Sequence, residues 1–240
     1  IDSADDLYWL ATTAQKNVKA KLTKDITVNR SVLKDDGNPN SGNFTDWTPI
    51  TDFTGTLDGQ GHTISGLYCN TPTSGHVGLF GNIAKGGTVS HLGVVDSYFA
   101  GNDFVGGVCG DNYQGTISGC YSTATVNSKL DSGGVLVGNN SGTVKNSFAY
   151  GTAQDSAKAF GLGNATNCFY LNPKEDTSML GKTGATEAQF KSGEVAYQLG
   201  SKDSFWKQNL SNQDPYPSFE GQAVGKADNG TYHNHDDANT

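Results

Sequence analysis

No run of about 18 apolar residues occurs anywhere in the 240-residue chain, so none of it is expected to span a bilayer as a helix. Clustered basic residues are missing too. The 16 lysines and arginines are scattered and the net charge is −8, which argues against nucleic acid and anionic membrane surfaces, since both need grouped cations to meet phosphate. No Cys-x-x-Cys pair occurs, so thiolates are not expected to converge on a metal, and neither metal nor cofactor is expected. No secretory leader is expected within these residues, and Ile1 is not an initiator methionine. We therefore expect a segment of a longer multidomain or processed chain, located at the cell surface or outside the cell. Charge is sparse altogether, at 17% of residues, while glycine is abundant at 32, the balance of a turn-dense β protein.

Those glycines are ordered. A four-residue phrase closing on glycine recurs as Gly78-Leu79-Phe80-Gly81, Gly107-Val108-Cys109-Gly110, Val135-Leu136-Val137-Gly138 and Phe160-Gly161-Leu162-Gly163. A second phrase follows the first three: Gly87-Thr88-Val89-Ser90, Gly115-Thr116-Ile117-Ser118 and Gly142-Thr143-Val144-Lys145. Repetition with a period between about 20 and 50 residues marks a solenoid, and short β-branched runs between glycines make each repeat a coil of strands. One coil cannot bury its own apolar face, so coils must stack in parallel, each covering the next. An antiparallel sandwich would have no reason to repeat a whole three-turn phrase. The expected fold is all-β, a right-handed parallel β-helix.

Stacking turns equivalent residues into columns. Val89, Ile117 and Val144 are expected to form one, with Ile64 before and Ala165 after. Tyr121, Phe148 and Phe169 form an aromatic column, which places Tyr121 in the core. Cys109 falls between Phe80 and Val137 as a small buried hydrophobe. Cys120 and Cys168 share a column but are separated by Ser147, about 9.5 Å over two strand spacings, too far for a disulfide. Four inert core cysteines are expected.

The ends differ from the repeats. Residues 3–14 begin with a Ser cap and an acidic first turn, then place Leu7, Leu10, Ala11 and Ala14 at helical spacing; with the strand that follows they form an N-terminal cap over 1–23. Coils are assigned to 24–173. Within them, 34–46 is polar and turn-rich and is expected to be a solvated loop, its Asp35, Asp36, Asn38 and Asn40 matching no calcium-loop spacing. Thr186 to Gln189 spells a capping box that opens a short helical C-terminal cap over 174–220, in which Phe205, Trp206, Tyr216 and Phe219 close the last coil. Residues 221–240 are expected to be an extension or tail.

The stretch from Trp47 to Leu67, the Gly78–Gly81 phrase, and the runs Val105–Ser118 and Val137–Val144 resemble the GLUG-type repeats of bacterial surface proteins. Such repeats are β-helical and occur in adhesin-like proteins and beside the catalytic part of immunoglobulin-A-cleaving metalloproteases. The resemblance covers about 47–170 and implies a fold more sharply than an activity. It extends to the ends, where similar proteins carry a helix like 3–14 and a Trp-Lys-Gln-Asn…Tyr-Pro segment like Trp206 to Pro217. The His-Glu-x-x-His signature of metalloproteases is absent from the chain.

Candidate chemistry is thin. Asn82, Asp111, Asn139 and Asn164 follow the closing glycines and are expected to form a hydrogen-bonded ladder. Asp103 and Asp131 occupy equivalent turns of adjacent coils, about 5–6 Å apart if stacked, the separation of a retaining glycosidase pair, and are the candidate catalytic residues; solvated turn positions and a cation site are the alternatives. Tyr98, Tyr113 and Tyr150 are the candidate ligand-binding residues, exposed rings able to stack on sugar or protein. His233-Asn234-His235-Asp236-Asp237 offers metal-binding groups on a tail with nothing to orient them. Isolated His62, His76 and His91 are expected at turns or on the surface. The leading expectation is a non-catalytic, adhesin-like module binding a host or microbial glycan or a surface protein. A polysaccharide-degrading enzyme and a structural spacer are the alternatives.

Overall fold

The computed structural model of the protein describes residues 1–12, 17–171, 178–179 and 181–235. It is a β-solenoid whose coils stack in parallel. Each coil runs through a long sheet of eleven strands and then through three short sheets of four, three and four strands. One complete coil is Thr88–Val95 in the long sheet, Tyr98–Gly101 in the second, Asp103–Gly106 in the third and Cys109–Asn112 in the fourth. The repeated phrases set the register. Thr116 stands beside Thr88 on one side and Thr143 on the other, and Cys109 lies between Phe80 and Val137.

The interior is a continuous apolar core in which Leu57, Val89, Leu92, Ile117 and Val108 are wholly buried. Glycine is required where coils approach most closely. A Cβ on Gly138 would sit 2.6 Å from the carbonyl oxygens of both Gly110 and Ser132, closer than backbone atoms allow. All four cysteines are free and buried. The Cys120 amide donates to Ser147 Oγ at 3.0 Å, so the serine between Cys120 and Cys168 ties the coils together.

Two columns are shifted from their expected members. Val89 has Leu57 as its other neighbour, not Ile64, which lies between Ile26 and Val94. The cause is a bulge between Asp58 and His62, where Gln60 and Gly61 take φ of 54° and 83°. Gly55-Thr56-Leu57 is thus the true first copy of the Gly-Thr-Val phrase. At the other end Leu162 stands beside Asn139, so Gly161 rather than Gly163 continues the line of Gly138. Asn164 therefore falls out of the expected ladder.

Both ends and one excursion dress this column. Helix α1, Ala4–Thr12, is capped by Ser3 Oγ, which accepts from Asp6 N at 3.1 Å, and buries Leu7 and Leu10. Ala14 lies outside the described residues. Residues 30–46 form an excursion whose expected loop, 34–46, is largely exposed, with Asp35, Asp36 and Asn38 in solvent, yet is docked on the solenoid rather than free. They lie along the outer face of the second sheet, where Val32 and Phe44 pack with Tyr68 and Tyr98. Polar atoms fix the excursion across several coils: the Asp96 carboxylate accepts from Val32 N and Leu33 N at 3.2 and 2.8 Å, Thr125 Oγ1 donates to Gly37 O at 2.6 Å, and Gln154 Nε2 donates to Asn38 Oδ1 at 3.0 Å.

The C-terminal segment adds the strand Lys182–Ala185 to the last coil and then, with Trp206, Tyr216 and Phe219, covers the outer face of the long sheet. Adjacent strand residues point to opposite faces, so with Cys120, Ser147 and Cys168 inside, Tyr121, Phe148 and Phe169 must point out. They do pair as a column, Tyr121 beside Phe148 and Phe148 beside Phe169, but outside the solenoid's core. Helix α2, Glu187–Lys191, begins with the expected Thr186/Gln189 capping box, and helix α3, Glu194–Gly200, follows across Gly193. Phe190, Val195, Leu199 and Trp206 bury the aromatic column. Trp206 lies 5.2 Å from Phe148, and its indole N–H donates to Asn146 O at 2.9 Å. Residues 224–234 are not a tail either: Val224–Lys226 and Tyr232–Asn234 form an antiparallel hairpin, and Tyr232 packs on Tyr197 of α3.

Candidate functional site

The expected site residues do not converge on one place. Asp103 and Asp131 keep corresponding positions, each two residues before the paired Val105 and Gly133. Their surroundings differ: Asp131 is exposed, whereas Asp103 is half-buried and its Oδ1 accepts from the Phe104 amide at 2.9 Å. Tyr98 is only 7% exposed, because the 30–46 excursion covers it and Tyr68 stacks beside it at 5.8 Å. That burial raises its phenol pKa. Tyr150 is half-buried against Phe190 and Tyr216, at 4.9 Å from each, and burial raises its pKa as well. Tyr113 alone of the three stands open, at 56% exposure.

Each solenoid histidine stands beside a carboxylate. His62 Nδ1 lies 3.4 Å from Asp25 and His76 Nε2 lies 3.9 Å from Asp111. His91 bridges Asp58 and Asp203 at 3.7 and 3.3 Å, with Phe205 stacked on its ring at 3.9 Å. It therefore pins the C-terminal segment to the solenoid. The rings of His233 and His235 lie 5.9 Å apart at the last hairpin, and Asp236 and Asp237 lie outside the described residues. Among the described residues, no three His, Cys, Asp or Glu side chains group as metal ligands.

Of the expected ladder one link forms, between Asn139 and Asp111, and a second pair stands behind it. On the outer side Asn139 Nδ2 donates to Asp111 Oδ1 at 2.9 Å, while Asn82 Nδ2 donates to Asp52 Oδ1 at 3.0 Å. One residue further on, buried Asn112 donates to buried Asn140 Oδ1 at 2.7 Å. This inner pair went unread in the sequence. Its signal is the residue after each outer rung, which strand alternation turns inward.

What the structure brings together is a groove of about 690 Å³ at the start of the solenoid. One wall is the segment Asp46 to Asp52; the other is Cys69 to Val77, the beginning of the second and third sheets. Trp47, Cys69 and Val77 are buried at its base, while Asp46, Asp52, Asn70, Ser74 and His76 line it. No Lys or Arg is among the lining residues. The arrangement can offer hydrogen bonds, an apolar base and negative charge to a ligand.

Comparison with known proteins agrees on fold and stops short of activity. No family model matches the chain. A stretch of 84 residues, 35% of the chain, is 38% identical to Halomucin of Haloquadratum walsbyi, of which it covers 1%. A stretch of 74 residues, 28% of the chain, is 34% identical to a protein of Evansella cellulosilytica provisionally named a Gly-rich membrane protein, of which it covers 9%. The chain thus spans a small part of the curated relatives it matches. Among solved structures, a Bacteroides ovatus protein provisionally named an immunoglobulin A1 protease superposes with a TM-score of 0.53 over 92% of this chain and 91% of its own, at 14% identity. That likeness shows a shared solenoid fold. No helix among the described residues is long and apolar enough to cross a membrane.

Proposed function

We propose that the chain is a non-catalytic, adhesin-like β-solenoid module of a surface or secreted protein, and that it binds a glycan or a protein through the groove between Asp46–Asp52 and Cys69–Val77. The observation that carries this reading is the groove itself, a concave face on a fold whose other reactive groups are engaged elsewhere. The thiols of Cys109, Cys120 and Cys168 are in the core, His62 and His91 stand beside carboxylates, and Asp103 uses one oxygen on the backbone. Similarity to part of Halomucin supports the placement at a cell surface.

The test is a glycan and protein array probed with the wild type and with Ser74→Trp, which puts an indole into the groove from an exposed turn. Binding by the wild type that this variant loses is the expected result. Turnover of a polymeric sugar, abolished by Asp103→Ala or Asp131→Ala and untouched by Ser74→Trp, would replace this reading with the enzymatic one. Silence in every assay would leave a spacer.

A further inference from the structure

The groove has a specific origin in the winding of the chain. The coil before Tyr68 gives strands to the long sheet, at Lys19–Lys21 and Ile26–Thr27, and bridges to the fourth, at Ile50 and Phe53. Its described residues give no strand to the second and third sheets. The first strands of those sheets, Tyr68–Asn70 and Gly75–Val77, consequently stand at sheet edges. The residues that would have paired with them are used instead in the excursion over the second sheet. When the chain returns, Trp47 N donates to Tyr68 O at 2.7 Å and Ile50 N to Leu79 O at 3.1 Å. Only Thr48 and Pro49 separate those two contacts, so the chain cuts the corner and the position of one strand is left open.

The backbone along that opening is oriented for pairing. Leu67 O and Thr71 N face the following coil, at 2.9 Å from Tyr98 N and Ala100 O respectively, while Tyr68 O faces the preceding one. Strand alternation then aims the N–H and C=O of Asn70 into the groove. A donor and an acceptor on one residue of an exposed edge match an extended main chain, the recognition mode of strand addition. Edges are commonly defended by lysine or by a covering segment; the lining residues here include no lysine, and the covering segment has gone to the other face. The charge at the site selects the partner. Asp46, together with Asp52, which accepts from Asn82, brings negative charge to a lining without Lys or Arg, in a chain of net charge −8.

We propose that the first coil is completed by a partner: an extended peptide segment of another protein, carrying Lys or Arg, that adds as a strand beside Asn70, past the point where Trp47 already pairs with Tyr68, and sets an apolar side chain on the base formed by Trp47, Cys69 and Val77. This rests on the groove being the binding face and names what fills it. Its partner strand lies about 4.8 Å from Asn70, with its basic side chains toward Asp46 and Asp52.

The experiment uses an eight-residue peptide alternating Val and Lys, the Val/Glu peptide of the same length, and the Val/Lys peptide N-methylated at alternate amides. Fluorescence anisotropy should show binding of the Val/Lys peptide, weakened about tenfold or more with Glu in place of Lys, by Asp46→Asn with Asp52→Asn, or by high salt. N-methylation should abolish it, and the Asn70 amide should exchange with solvent at least about tenfold more slowly in the complex. Failure of the Val/Lys peptide to bind, or binding that leaves Asn70 exchange unchanged, overturns strand addition. If a glycan binds instead and Ser74→Trp removes it, this inference is lost while the groove stays the binding face. If Ser74→Trp leaves all binding intact, the groove itself is refuted.

Discussion

Replacing Trp206 by alanine tests whether the flank and the solenoid interior are separate cores. Trp206 is 1% exposed and belongs to the aromatic cluster outside the long sheet, which includes Tyr121, Phe148 and Phe169 but none of the interior column around Val89. Removing a buried indole costs about 3–5 kcal/mol through lost burial and the cavity left behind. The Asn146 carbonyl also loses its 2.9 Å donor, adding about 1 kcal/mol unless water replaces it. A loss of about 4 kcal/mol confined to the flank corresponds to roughly a thousandfold faster opening of that unit. Amide exchange followed by NMR is the assay. Amides of α2 and α3 should speed up by about that factor, while those of Cys109 and Val137, inside stacked coils, should hold close to their wild-type rates. Equal acceleration in both sets would mean a single cooperative core and would refute the division. Acceleration below about tenfold would show that the indole contributes little to holding the flank.

Alkaline pH should destabilise the protein. Burial holds the Cys120 and Cys168 thiols up at about 12 against an ordinary value near 9, and raises Cys109 further, so the unfolded chain releases these protons first. Their contribution is fully present below about pH 9 and is lost as pH rises toward 12; urea titrations across that window should show a falling midpoint, and one that stays flat would contradict the burial. For the same reason native protein should resist iodoacetamide at about pH 8 and react at all four cysteines in denaturant, as mass spectrometry would show. Gly138→Ala should cost about 3 kcal/mol, because the three atoms its Cβ would meet, two carbonyl oxygens and the Val105 nitrogen, are all backbone and cannot swing aside; a midpoint within about 0.5 kcal/mol of wild type would refute the close approach. Asn140→Ala should cost about 2 kcal/mol, because it removes the shortest of three acceptors of the buried Asn112 amide and the bonds Asn140 itself makes with Gly142 N and Asn164 O, measured by the same denaturation.

The solenoid was legible because close packing between coils leaves glycine at fixed intervals, and an interval survives even when the residues around it change. Register was legible wherever the whole phrase repeated, as at Thr88, Thr116 and Thr143. It failed at the first coil because His62-Thr63-Ile64-Ser65 copies the spelling of the phrase better than Gly55-Thr56-Leu57 does. The bulge at Gly59 to Gly61 supplied the extra residues, and no periodicity reports a bulge. The flank was half legible. In-pointing Cys120 and Cys168 required Tyr121, Phe148 and Phe169 to point out, and an exposed aromatic row of that length needs a cover. What covers it has no repeat, so its course over several coils could not be read from spacing. Polar composition hid the 30–46 excursion in the same way: its Asn and Gly residues dock through single hydrogen bonds to Thr125 and Gln154, contacts between residues far apart in sequence.

The covered tyrosines and the open groove have a common cause. A chain of fixed length can either continue the second and third sheets by one more strand or lie across the outer face of the second; residues 30–46 do the latter. By doing so they bury Tyr98 and half-cover Tyr68, rings that would otherwise form an exposed stack, and they leave Asn70 on an edge strand. The surface tyrosine expected to bind ligand was therefore removed by the same excursion that created the groove. Aromatic stacking gives way to main-chain hydrogen bonding and negative charge as the chemistry on offer, and that exchange favours an extended basic peptide over a sugar ring at this end of the solenoid.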